Sequence, residues 1–179
     1  MIDLFTQYNR FGIFGASESG KTTLAKRVSQ EIFAREKRPS ICLFHLERTP
    51  ASWGKHARGF YNRDEFLTNV RTATTGALVV VEDASVTIAA DKDVTDLFTC
   101  IRHQNHKLLV IGHHAANLTP EMRDSLQRVF LFLQNDDAIK NYWSKIFPGH
   151  DLTPATQLQQ YEFLTVANYQ PLLKSKLAK

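Results

Sequence analysis

Short, uninterrupted apolar runs recur along the chain, each followed by a polar turn and then an amphipathic stretch. The runs fall at residues 11–14, 41–44, 78–81, 108–111 and 129–133, with a last one at 163–167. Four or five consecutive apolar residues leave no polar face, so each run predicts a strand buried on both sides. Residues 22–35 (TTLAKRVSQEIFAR) carry Leu24, Val28 and Ile32 at helical spacing. Residues 64–71 predict a short helix capped by Asp64 with Phe66, Leu67 and Val70 inward. Residues 93–103 predict another, with Val94, Leu97, Phe98 and Ile101 on one face. Thr119-Pro120-Glu121 reads as a cap and first turn, residues 136–147 as an amphipathic helix stopped by Pro148-Gly149, and residues 155–160 as helical. The stretch 46–63 reads as a polar loop and the residues after 167 as a basic tail. Strands alternating with helices imply an α/β, three-layer sandwich around a mostly parallel central sheet. Right-handed crossovers would bring the C-terminal ends of the parallel strands to one edge, where ligands bind. The expected organisation is a single domain, 1–179, with its core at about 11–167.

The turn after the first run has a distinct composition. Residues 11–23 read FGIFGASESGKTT. Gly15 and Gly20 enclose Ala16, Ser17, Glu18 and Ser19, and Lys21, Thr22 and Thr23 follow at the start of the helix. This is the phosphate-loop pattern G-x-x-x-x-G-K-[ST]. The glycines let the main chain approach a polyphosphate with no side chain in the way. The loop amides and the helix N-terminus present positive partial charge to it. Lys21 would reach the β- and γ-phosphates of ATP, and the Thr22 hydroxyl would hold Mg²⁺. The bland alternative is an ordinary glycine-rich turn between strand and helix.

Two further elements follow strand ends. Residues 78–83 (LVVVED) deliver Glu82 and Asp83 to the mouth of a buried strand. Phosphoryl transfer from ATP to water needs one carboxylate near Mg²⁺ and another to orient and deprotonate the water. Either Glu82 supports the metal shell and Asp83 serves the water, or the roles are exchanged. A solvated acidic strand end is the alternative. The second element is Arg102, then the run 108–111, then His113-His114. His113 at a strand end beside the phosphate loop suits a γ-phosphate sensor. Arg102 precedes its strand, far from its own subunit's nucleotide, so it suits an arginine finger reaching a neighbour's. The alternatives are a solvated Arg at a helix C-terminus and a structural His.

Composition narrows the classes. The chain has 179 residues, 43% hydrophobic and 22% charged, as in ordinary globular proteins. Its net charge of +4 comes partly from Lys174, Lys176 and Lys179 and mildly favours a polyanionic partner. Arg48, Lys55, His56, Arg58 and Arg63 are interleaved with Trp53, Phe60 and Tyr61, a mixture that serves nucleic-acid surfaces and also solvated loops with apolar anchors. Cys42 and Cys100 are distant and lie in apolar contexts, which predicts buried free thiols in a reducing compartment. The first ten residues, MIDLFTQYNR, lack a signal-peptide core, and no apolar run reaches membrane-spanning length. The expected location is the cytoplasm, including that of a host cell.

With these motifs in place, the chain resembles the FtsK/HerA-like P-loop motor ATPases, and within them the small genome-packaging ATPases of tailless internal-membrane phages and related large DNA viruses. The resemblance covers about residues 11–167. Residues 15–22 match Walker A, residues 78–83 match Walker B with the acidic pair inverted, and Arg102 and His113 match the family's arginine-to-sensor spacing; relatives usually carry glutamine at the position of His113. Gln159-Gln160 and the strand after it resemble the family's ending. The resemblance implies an ASCE-type sheet with the His113 strand between the P-loop and Walker B strands. It also implies ATP and Mg²⁺ as cofactors, a homo-oligomeric ring, commonly a hexamer, with ATP between neighbours, and double-stranded DNA through the pore. Viral capsid or vertex proteins would be partners, in the host cytoplasm and at the virion's packaging vertex. Lys55, Arg58 and Arg63 would grip DNA phosphates. A nucleotide or small-metabolite kinase, with 46–63 as a lid, is the competing expectation. An assembly ATPase of the filamentous-phage type is another, though those normally carry a membrane-spanning segment.

Overall fold

The structure is a computed structural model that describes residues 7–45, 49–73, 76–83, 97–98, 101 and 104–178. The strands are β1 (Arg10–Phe14), β2 (Ser40–Leu43), β3 (Ala57–Phe60), β4 (Leu78–Val81), β5 (Lys107–Gly112), β6 (Arg128–Leu131), β7 (Glu162–Ala167) and β8 (Leu173–Lys176). The helices are α1 (Lys21–Glu36), α2 (Arg63–Thr72), α3 (Pro120–Ser125) and α4, a continuous stretch over residues 136–146. The strands form one sheet in the order β3-β2-β4-β5-β1-β6-β7-β8. From β3 to β6 every pairing is parallel, and β7 and β8 are added antiparallel. This is a mostly parallel α/β sheet, and β5 lies between β1 and β4 as the resemblance implies.

The apolar runs are continuous because both sheet faces are covered. On one face, Leu24, Ala25, Val28 and Ile32 of α1 pack on Phe11, Ile13, Cys42, Leu78, Val80, Leu109 and Ile111. On the other, Phe66, Leu67 and Val70 of α2, with Leu97, Phe98, Ile101 and Trp143, pack on Val79, Val81, Leu108, Val110 and Leu131. Alternate residues of each strand thus feed opposite cores. Each Val, Leu, Ile or Phe among them contributes about 1.5–3 kcal/mol when fully buried. Cys42 is a buried free thiol, and burial pushes its pKa up. Cys100 lies outside the described residues.

Several elements differ from the sequence expectation, each for a local reason. Within 46–63, residues 57–60 form β3, an edge strand with Arg58 and Gly59 exposed. An edge needs only one apolar anchor, here Phe60, and shows no continuous run. β8 likewise occupies the tail, with exposed Lys174 and Lys176 on the opposite edge, where charge discourages further strand addition. The cap of α2 is Asn62, whose side chain accepts from the Asp64 and Glu65 amides; Asp64 sits in the first turn. The helix expected at 136–147 contains a π-helical turn, Ile139–Trp143. It turns Trp143 inward, where its ring meets Phe14 at 4.8 Å and its Nε1 donates to Gln134. Residues 153–157 are 3₁₀ rather than α. Of the helix expected at 93–103, only Leu97, Phe98 and Ile101 are described; they are buried, with Ile101 N–H donating to Leu97 O.

Two polar nodes fix the end of the sheet away from the strand tips. His106, 1% exposed, accepts from the Ala77 amide at Nδ1 and meets the Val70 carbonyl at Nε2, joining α2, β4 and β5. The Lys107 ammonium, on a residue 2% exposed, pairs with Glu36 at 2.6 Å, and Glu36 also pairs with Arg38. Burial, with the nearby Arg38 charge, holds the His106 pKa below its ordinary value against the Val70 hydrogen bond. The unfolded chain therefore takes up a proton at about pH 6.5 while the folded chain does not. Stability is expected to be full above that pH and to fall as pH drops below it. The pH dependence of the urea midpoint should be shallower in His106→Gln than in the wild type. Glu36→Ala removes a carboxylate partner of the buried Lys107 ammonium and should be destabilising, by up to about 3 kcal/mol. Adding Lys107→Met should recover most of that loss in the same urea titration.

Candidate nucleotide-binding site

The loop between β1 and α1 is shaped by what stands behind it. A Cβ at Gly15 would lie 2.5 Å from Phe132 Cβ, and one at Gly20 would lie 2.8 Å from the Tyr161 ring. Gly20 also has φ +108 at the start of α1, where only glycine is unstrained. Glu18 takes φ +58 at the crest. Gln160 Nε2 donates to Glu18 O at 3.2 Å, and Tyr161 N–H donates to Ser19 O at 3.1 Å. The crest is thus braced from the turn that precedes β7. α1 has no side-chain cap and no acid in its first turn, so its leading amides face outward with the positive end of the helix dipole.

Lys21, 8% exposed, donates from Nζ to Gly15 O at 2.9 Å and Ala16 O at 2.7 Å. Burial lowers its pKa, opposed by the charge of Asp83. At the tip of β4, Glu82 is 8% exposed and its Oε2 accepts from the His45 amide at 3.2 Å. Asp83 turns out of the strand with φ +48, and its Oδ2 lies 3.3 Å from His45 Nδ1. His113 follows β5. Burial and then the Lys21 ammonium lower its pKa, while Asp83 and a hydrogen bond to the Gly15 main chain act the other way. The ring is therefore neutral near pH 7 and lies between the loop and the acid.

These groups share two adjoining clefts. The first, about 430 Å³, is lined by Ser17, Glu18, Lys21, Thr22, Lys26, Glu82, Asp83 and His113, with the end of β5 as its floor. The second, about 410 Å³, lies across the loop against Gly20, Thr23, Gln160 and Tyr161 and shares Glu18, Lys21 and Thr22 with the first. The structure thus brings the loop residues together with Glu82, Asp83 and His113. Ala16 lines a separate hollow beside His113 and His114, and Ser19 and Thr23 fall to the side of Tyr161. Among the described residues no three His, Cys, Asp or Glu side chains could hold a metal ion unaided. Thr22 with the two acids in one cleft fits a Mg²⁺ whose remaining ligands are phosphate oxygens and water.

Arg102 lies outside the described residues. Lys55 and Arg58 line a different cleft of about 660 Å³, near the start of β2 and away from the phosphate loop. Arg63 stands apart at the head of α2, 3.6 Å from Asp64. Lys26, His45 and Tyr161 were not singled out in the sequence. His45 was legible in principle, because it is a polar residue just past a buried run, like His113. Tyr161 carried no such signal, since its place comes from the pairing of β7 with β6.

No family model matches the sequence, and no curated protein matches it. Solved structures do match its fold. The genome-packaging NTPase B204 from Sulfolobus turreted icosahedral virus 2, in complex with AMPPCP, is 16% identical with a TM-score of 0.77, over 94% of this chain and 97% of that one. B204, the DNA-packaging ATPase from Sulfolobus turreted icosahedral virus, is 18% identical with a TM-score of 0.75, over 96% and 98%. The cytoplasmic domain of the type VII secretion ATPase EccC from Thermomonospora curvata is 12% identical with a TM-score of 0.68, over 95% of this chain and 25% of that one. Sheet order, loop and neighbours agree on one conclusion: the chain has the α/β P-loop NTPase fold.

Proposed function

We propose that this chain is an ATP hydrolase that drives double-stranded DNA into a viral capsid, working as a homo-oligomeric ring. The observation that carries the hydrolase is the convergence of Lys21, Thr22, Glu82, Asp83 and His113 on one 430 Å³ cleft. The packaging role draws support from neighbours of nearly the same length, which are described as genome-packaging and DNA-packaging enzymes. Among the described residues no helix is long and apolar enough to cross a membrane, which gives no support to the filamentous-phage alternative. A kinase would use 46–63 as a lid. Trp53 and Phe60 are instead buried, and residues 57–60 pair with β2, so the second half of that stretch is anchored to the sheet.

The chemistry follows from the two clefts. ATP supplies the phosphoryl group, and Mg²⁺ would neutralise charge between the β- and γ-phosphates. Lys21 exchanges its bonds to Gly15 and Ala16 for phosphate oxygens, aided by the amides at the uncapped start of α1. Thr22 and an acid of the 82–83 pair hold the metal. An acid of the pair orients water and takes its proton. Neutral His113 donates to the γ-phosphate and senses its departure. Because the acids line only the first cleft, the γ end points there. The nucleoside then extends into the second cleft, against Thr23, Gln160 and Tyr161. Arg102 of one subunit completes the site of the next. Lys55, Arg58 and Arg63 touch DNA phosphates without reading sequence. The place of action is the host cytoplasm and the packaging vertex of the virion, docked on capsid or vertex proteins.

Lys21→Ala should weaken ATP binding by about 10- to 100-fold, the worth of charge-assisted hydrogen bonds at 1.4 kcal/mol per decade. Calorimetry would check this, and phosphate release should stop while the melting temperature holds. Long duplex DNA should raise phosphate release by the wild type, and the effect should fade with added salt. Equal rates with and without DNA would remove the motor and leave the hydrolase. Tyr161→Ala should raise KM for ATP about tenfold, the worth of one lost base stack, and leave hydrolysis of inorganic tripolyphosphate unchanged.

A further inference from the structure

His45 touches both acids of the 82–83 pair, through different atoms. β2 and β4 run side by side in register, Leu43 opposite Val81, and Glu82 N–H donates to Leu43 O at 2.9 Å. Phe44 N–H donates to Phe60 O on the other side at 2.8 Å. The main chain leading to His45 is therefore held between two strands. Its own amide donates to Glu82 Oε2 at 3.2 Å, a contact that any residue except proline would make. Its ring Nδ1 meets Asp83 Oδ2 at 3.3 Å, a contact that belongs to the side chain.

Asp83 is the acid whose direction most needs a partner. At φ +48 its main chain has left the extended conformation of β4, so the strand no longer aims its side chain. Its carboxylate lies 3.3 Å from His45 Nδ1, and the residue lines the same cleft as Lys21 and His113.

We propose that His45 is a positioning residue for the hydrolytic step: its Nδ1–H holds the Asp83 carboxylate at the mouth of the first cleft, aimed at the water that attacks the γ-phosphate. The proposal rests on the hydrolase reading. His45 lines neither cleft and makes no hydrogen bond or ion pair with the phosphate loop, so its loss should leave the loop and both clefts in place. Its effect therefore falls on turnover and not on affinity. A positioned acid or base contributes about 10²–10⁴-fold to such a reaction, and losing its aim without losing the group removes part of that.

The test uses the full chain and steady-state phosphate release. His45→Ala should lower kcat about tenfold with KM for ATP within about twofold of the wild type, because aim is lost and binding is not. The amide nitrogen of Asn reaches where Nδ1 of His stands, whereas that of Gln overshoots. His45→Asn should therefore recover most of the turnover and His45→Gln should not. In an Asp83→Asn background, His45→Ala should have no further effect, since the group it positions is gone. Unchanged kcat in His45→Ala, a rise in KM alone, or equal loss in the Asn and Gln variants would overturn the positioning role and leave the hydrolase standing. A wild type that binds ATP without ever releasing phosphate would overturn both together, and is told apart because no variant is needed to see it.

Discussion

The positive end of α1 needs a negative partner, and the sequence supplies none of the usual ones. Gly20 caps the helix with no side-chain acceptor, and no acid stands in the first turn. An ordinary helix would place Ser, Asp or Glu there and gain about 1 kcal/mol. Leaving that end bare keeps several amides pointed at one volume, which is how a protein makes a polyphosphate cradle without arginines. The loop must then survive without its ligand. Lys21 folds back on the Gly15 and Ala16 carbonyls, and the 160–161 turn donates to the Glu18 and Ser19 carbonyls. Four of the loop's carbonyls are thus occupied by donors, and the Gly15 and Ala16 amides are tied to Gly112 and Leu133, which leaves the uncapped start of α1 to face a ligand.

Sheet order converts this local feature into a site. β5 lies between β1 and β4, so the tips of three adjacent parallel strands carry the loop, His113 and the acids. The loop, His113 and the acid pair are far from one another in sequence, and the parallel ladder aligns the strand ends that carry them. The far end of the sheet is pinned by buried His106 and by buried Lys107, which pairs with half-buried Glu36. The rigid end and the functional end are therefore the two ends of one ladder. The antiparallel additions serve the loop as well, because β7 begins just after Tyr161, and the Leu177 amide that follows β8 donates to the Tyr161 carbonyl.

What could be read from the sequence divides along the same line. The central strands were legible because burial on both faces forces unbroken apolar runs, as in Leu78–Val81. The loop was legible because the phosphate-loop pattern demands glycines and a lysine at fixed spacing. The edge strands β3 and β8 were not, since an edge tolerates Arg58 or Lys174 and leaves no run. The cap of α2 was misplaced by two residues because Asn62 and Asp64 are both good caps, and only geometry shows which one accepts. His45 has the local position of a polar residue past a buried run, but its contact with the acids comes from the pairing of β2 with β4, and the place of Tyr161 from that of β7 with β6.

The inverted order of the acids follows from the main chain. Glu82, the last residue in line with β4, is tied to β2 on two sides: its amide donates to Leu43, and its carboxylate accepts from His45. A long side chain held so firmly suits a metal shell, where a steady distance matters more than reach. The next residue carries the shorter acid, which would fall short if the strand continued straight. At Asp83 the main chain instead takes a left-handed turn, and the residue lines the same cleft as Lys21 and His113, so the turn can supply the reach that the side chain lacks. Asp tolerates that conformation better than Glu, because its short polar side chain bonds locally. The pair in the order Glu then Asp is thus consistent with a fixed acid in line with the strand and an aimed acid beyond it, which favours Asp83 as the group that meets water.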